Sequence, residues 1–132
     1  MTVRGDVDAR LTTTRALGPV SIASSTTTTS SAIDTTAYPP GTRLFIVHSV
    51  GTYTDGSYTC SVTDATTSGG AYSAATLFSG TLSATSAANT TKTATFITAT
   101  GRPFIKVQIV STGVTTGALN SVHVVAVPPA MV

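Results

Sequence analysis

From Val20 onward apolar and polar residues alternate along short segments, and no interior segment sustains the 3.6-residue repeat of a helix. Thr42 to Val50 is the strongest strand. Leu44, Ile46, His48 and Val50 share one of its faces and Phe45 and Val47 the other, so both faces are expected to be covered. Ser57 to Asp64 sets Tyr58, Cys60 and Val62 against Thr59, Ser61 and Thr63, the pattern of a half-buried strand. Asn89 to Thr98 puts Ala94 and Phe96 on one face and Thr91, Thr93 and Thr95 on the other. Pro103 to Thr112 turns Ile105, Val107 and Ile109 inward and Lys106 and Gln108 outward, and Leu119 to Val127 forms the last strand before Pro128-Pro129. Three segments carry weaker patterns: Val20 to Ala23, the hydroxyl run Ser24 to Ser31, and Ala71 to Leu82 with a bend near Ser79-Gly80. Tyr38-Pro39-Pro40-Gly41 is a firm break, Asp55-Gly56 predicts a hairpin, and Gly113 to Gly117 turns the chain.

About eight short strands separated by regular turns predict an all-β fold. The expected architecture is a single small β-sandwich over residues 19–132, jelly-roll-like, with an immunoglobulin-like Greek key as the runner-up. Ile46, Cys60, Val62, Phe96, Ile105, Val107, Ile109, Val122 and Val124 are its expected core. Residues 1–18 differ from the rest and read as an extended N-terminal arm, with a frayed terminus as the alternative. The arm holds Arg4, Asp6, Asp8, Arg10 and Arg15, a large share of all the charge. Val3, Val7 and Leu11 recur at a spacing that allows a short helix around Asp6 to Arg15, and Thr12, Thr13 and Thr14 weaken it.

Composition then narrows the function classes. Charged residues make up only 9% of the 132 residues, against about 25% in an average soluble protein. Hydroxyls replace ions on the expected surface, which suits a subunit held in a dense array and equally a secreted Thr-rich domain. The net charge of +2 and the scattered basic residues give no footprint for nucleic acid. No apolar stretch approaches the roughly 20 residues of a membrane-crossing helix, and the N-terminus lacks the apolar middle section of a secretion signal. The lone Cys60 makes no internal disulfide, so synthesis and assembly in the cytoplasm are expected.

Chemistry needs convergent titratable groups, and few are present. His48 and His123 both lie in predicted strands, and a third metal ligand would have to be Cys60 or a distant Asp. Cys60 alternates with apolar neighbours and reads as a small buried residue rather than a reactive thiolate. Asp6 and Asp8 sit in the arm, where nothing holds them rigidly for acid-base work. No nucleophile elbow or phosphate-binding loop appears, and no catalytic residue, cofactor or metal is expected. With no Trp and 6% aromatic residues, carbohydrate platforms are scarce. Tyr53, in the loop Gly51 to Gly56, is either an interface anchor or a turn residue packed against its own strand.

Ala32-Ile33-Asp34-Thr35-Thr36-Ala37-Tyr38, a hydrophobic strand, and Gly51-Thr52-Tyr53-Thr54-Asp55-Gly56-Ser57-Tyr58 follow one another in this chain. Together with Arg102 to Val107, the turn Thr112 to Gly117 and the closing Val-rich strand, this order resembles small head-associated structural proteins of tailed bacteriophages. The resemblance covers about residues 20–127 and leaves the arm outside. It implies a non-enzymatic capsid decoration (cement) protein, a homo-oligomer such as a trimer, bound to the major capsid protein on the outer surface of the head. A tail or head-tail subunit, and a receptor- or carbohydrate-binding module, are the alternatives. In the decoration reading Arg4, Asp6, Asp8, Arg10, Arg15 and Tyr53 are the candidate partner-binding residues.

Overall fold

A computed structural model describes residues 12–23, 25–39, 42–75, 82–84, 90–96 and 101–128. For residues 12, 82–84 and 90–96 only the backbone is described. All regular structure among the described residues is strand: β1 (Thr12–Ile22), β2 (Thr27–Thr29), β3 (Ile33–Asp34), β4 (Arg43–Val50), β5 (Ser57–Ala65), β6 (Ser73–Ala74), β7 (Leu82–Ala84), β8 (Thr90–Phe96), β9 (Phe104–Thr112) and β10 (Ala118–Val127). Every pairing is antiparallel.

Sheet A runs β1-β10-β4-β8, and sheet B is centred on β9 and β5. Two lanes of sheet B are split. β2 and β3 lie along the same edge of β9, and β6 and β7 along the same edge of β5. Numbering lanes in chain order gives 1-8-3-6 in sheet A and 2-7-4-5 in sheet B. Lanes 1 and 8, 2 and 7, 3 and 6, and 4 and 5 are therefore partners, as if one long hairpin had been rolled into two layers. This strand order is that of a jelly roll.

The core is where the alternation put it. Ile46, Cys60, Val62, Ile105, Val107, Ile109, Val122 and Val124 are all buried, together with Leu44, Val50, Tyr58 and Ile22. The side chain of Phe96 lies outside the described residues, although the backbone register sets Phe96 opposite Leu44. Tyr58 reaches across the layers from sheet B. Its hydroxyl donates to the Ile22 carbonyl at 2.9 Å and accepts from the Ala118 N–H at 2.9 Å, so one side chain holds β5 to the β1–β10 pair.

Three expectations are corrected. Thr12 to Gly18 belong to β1 rather than to an arm, because consecutive β-branched threonines favour a paired strand over a helix. The possible helix is thus replaced by strand from Thr12 onward, and residues 1–11 lie outside the described residues. Asp55-Gly56 closes no hairpin, since β4 and β5 lie in different sheets. The Asp55 carboxylate instead accepts from the Thr115 N–H at 3.1 Å and the Thr116 N–H at 3.2 Å, which ties this crossover to the β9–β10 connection. The segment 71–82 is two short strands along one edge, interrupted by residues 76–81, which are not among those described.

Candidate functional site

Antiparallel sandwiches commonly alternate apolar-inward with polar-outward positions. Sheet B follows that rule at most positions. Ser57, Thr59, Ser61 and Thr63 on β5, with Lys106 and Gln108 on β9, alternate with the buried residues of those strands. Its outer surface is mostly hydroxyls, interrupted on β9 by Phe104 and the exposed Val110, and Lys106 Nζ lies 4.3 Å from the centre of the Tyr72 ring.

Sheet A departs from the rule. On β4 the buried residues are Leu44, Ile46, His48 and Val50, leaving Arg43, Phe45, Val47 and Ser49 outward. On β10, Asn120, Val122, Val124 and Ala126 are buried, leaving Leu119, Ser121, His123, Val125 and Val127 outward. The register aligns these positions into rows. Val127 pairs with Arg43, Val125 with Phe45, and His123 with Val47. Across the other edge of β10, Thr13 pairs with Val125 and Arg15 with His123. Phe45, Val47, Val125 and Val127 thus form one contiguous apolar stripe on the outside of the sandwich, each half-buried. The expectation that both faces of β4 are covered holds on the inner face, while the outer one keeps its apolar residues partly open to solvent. Leu119, at 55% exposure, is a separate exposed apolar residue farther along β10, cut off from the stripe by His123 and Ser121.

The described charge on this face has one sign. Arg15 and Arg43 are exposed at its margins, and no ion pair joins either of them to another described residue. The described acids lie elsewhere. Asp34, in sheet B, accepts from the Thr36 N–H and hydroxyl, and these bonds hold its carboxyl below the ordinary value. Asp55 is likewise lowered by Thr115 and Thr116 in the crossover. Asp64 is buried and receives Arg102 Nε at 2.5 Å, while Arg102 Nη2 donates to the Asp64 carbonyl at 2.6 Å and to the Ser73 hydroxyl at 2.9 Å.

The sequence-selected residues separate accordingly. Arg15 belongs to the sheet A face. Arg4, Asp6, Asp8 and Arg10 lie outside the described residues. Tyr53 is half-buried against the core, and its hydroxyl donates to the Gly56 carbonyl within its own connection. Phe45 and Val47 were legible as a second apolar face of their strand. The expected core places Val122 and Val124 inward and so leaves Val125 and Val127 on the outward pleat, but the alignment of that pleat with Phe45 and Val47 comes only from the strand register.

The titratable interior is structural. His48 Nε2 donates to Asn120 Oδ1 at 2.9 Å, since the Asn120 amide nitrogen is occupied by the Ala118 carbonyl at 3.0 Å. The ring's Nδ1 is buried without a hydrogen-bond partner among the described residues. Burial pushes the His48 pKa down, with the Asn120 bond opposing in part. His123 sits on the outward side of the neighbouring strand, so the pleat keeps the two rings on opposite faces of sheet A. Cys60 is fully buried, and desolvation pushes its thiol up to about 12. Among the described residues no group of three His, Cys, Asp or Glu side chains is placed to hold a metal ion.

Comparison with known proteins gives no match: no family model fits the chain, and no curated protein or solved structure is significantly similar to it.

Proposed function

We propose that this protein is a non-enzymatic virion structural protein, a decoration subunit that binds the outer surface of a tailed-phage head and stabilises the shell. The observation that carries this reading is the outer face of sheet A. Phe45, Val47, Val125 and Val127 form an apolar stripe on a surface that the fold does not require to be apolar, flanked by Arg15 and Arg43, which make no ion pair with another described residue. A contiguous outward apolar patch with a polar border is the ordinary form of a protein-binding surface. The chain's resemblance to phage head-associated proteins, the ion-poor surface and the inert titratable interior support the same reading.

The alternative of a carbohydrate-binding module fares less well on the tyrosines, which are the rings best suited to sugar stacking. Tyr58 is buried, Tyr38 and Tyr53 pack on the core, and Tyr72 is capped by Lys106.

The test is co-sedimentation of the purified chain with phage heads that lack it, followed by cryo-electron microscopy of the decorated particles. Saturable binding with one copy number per capsid subunit is expected, together with increased resistance of the heads to heat. Heads that bind none of the protein would overturn the proposal.

A further inference from the structure

The outer face of sheet A also constrains what can sit on it. Any occupant must meet an apolar stripe about two strands wide, since strand neighbours lie roughly 4.7–4.9 Å apart, with Arg15 at one margin and Arg43 at the other. One candidate is a second copy of this chain using the same face. A two-fold contact is self-complementary, so each copy would offer its partner the same surface. The described charges on that surface are all cationic, and Asp34, Asp55 and Asp64 lie in sheet B or in the crossover. A face-to-face pair would therefore bring cations toward cations with no carboxylate from the described surface to answer them, and like-charge juxtaposition across an interface is unfavourable.

We infer that this face takes a partner of different surface chemistry: a protein presenting an apolar strip bordered by carboxylates that pair with Arg15 and Arg43. The inference rests on the reading of this face as the docking surface and adds the chemistry of the partner. The apolar stripe supplies the contact that salt does not screen, and the two arginines fix register and speed encounter. Any homo-oligomer of this chain then forms through other surfaces, leaving the sheet A face free for the partner.

The experiment uses the full chain and phage heads that lack it. Binding is measured at about 50 mM and 1 M salt, where the screening length falls from roughly 14 Å to 3 Å. Wild-type binding should weaken several-fold at high salt without vanishing. Arg15→Glu/Arg43→Glu should bind about tenfold more weakly or worse at low salt, and Arg15→Lys/Arg43→Lys should retain most of the affinity. Phe45→Asp should abolish binding at every salt concentration while leaving the oligomeric state of the free chain unchanged. Thermal melting of each variant confirms that the sandwich is intact. Wild-type binding that ignores both salt and charge reversal would overturn the inference and leave the docking surface standing. A change of oligomeric state in Phe45→Asp would show that copies of the chain occupy the face, which overturns it too. If wild-type protein binds no heads at all, the decoration reading itself fails.

Discussion

His48 enters the interior of sheet A as a neutral ring and has to remain neutral. Its Nε2–H is committed to Asn120 and its Nδ1 has no hydrogen-bond partner among the described residues. A proton added at Nδ1 would place a charge in the buried layer beside Val122, its register partner, and between Ile46 and Val50 along β4, which desolvation opposes. The folded pKa is therefore lower than the unfolded one. With the folded value depressed, the unfolded chain binds more protons as pH falls, so stability is full above the unfolded value near 6.5 and declines below it. The decline cannot exceed about 1.4 kcal/mol per pH unit for a single group. The lowered carboxyls of Asp34 and Asp55 act in a separate window, below their ordinary value of 3.8. Denaturant melts between pH 7 and pH 5 should thus show a loss that His48→Gln reduces, because a glutamine amide can still donate to Asn120 without titrating. Stability that stays flat over that range would show that the buried ring takes up a proton at no cost.

At the scale of elements, the crossover from β4 to β5 does what a hairpin turn would not. Gly56 has φ of 73°, and a Cβ placed there would lie 2.6 Å from the Thr112 carbonyl oxygen and 2.6 Å from Val114 Cγ2. Only glycine fits both the backbone and the space. Gly56→Ala should destabilise the protein by roughly 2–3 kcal/mol in denaturant melts. Gly69→Ala, where an added Cβ meets nothing within 4 Å, should leave stability nearly unchanged. Equal melts for the two variants would mean that the crossover is not fastened to the β9–β10 connection. The same crossover shows where sequence reading stops. Alternation in β4, β5, β9 and β10 was legible because each strand has one face in the core. Sheet membership was not, because Asp-Gly chemistry is satisfied equally by a two-residue turn and by bonds to Thr115 and Thr116, which lie far along the chain. The short edge strands were obscure for a related reason. Ser111 Oγ accepts from the Thr26 N–H and Ser30 Oγ from the Val107 N–H, so hydroxyl side chains continue the pairing where the strands themselves lapse. The candidate surface was half legible. Phe45 and Val47 were visible as a pattern, while Arg15 was assigned to an arm because its row partner His123 is distant in sequence.

For the whole molecule, the roll closes only if its first lane is present. β1 is an edge strand of sheet A, and Thr12 to Leu17 pair with Ala126 through Val122 of β10. Ala16, Leu17 and Val20 pack against the core, Ile22 is buried in it, and the Ile22 carbonyl receives the Tyr58 hydroxyl that joins the layers. Two truncations separate this lane from whatever precedes it. Deleting residues 1–11 removes Arg4, Asp6, Asp8 and Arg10 but none of these contacts, so the melting temperature should change by no more than a few degrees. Deleting residues 1–18 strips Thr12 to Gly18 from β10, removes Ala16 and Leu17 from the core, and exposes the backbone of a central strand as a new edge. That loss should lower the melting temperature by about 10 °C or more, equivalent to roughly 3 kcal/mol for a domain of this size, and should promote aggregation through the uncovered edge. The shorter deletion keeps Arg15, Phe45, Val47, Val125 and Val127, so head binding by it measures the sheet A face without the preceding segment. Identical melting of both truncations would show that the roll is complete without the first half of β1, and the division between arm and domain would return to Gly18.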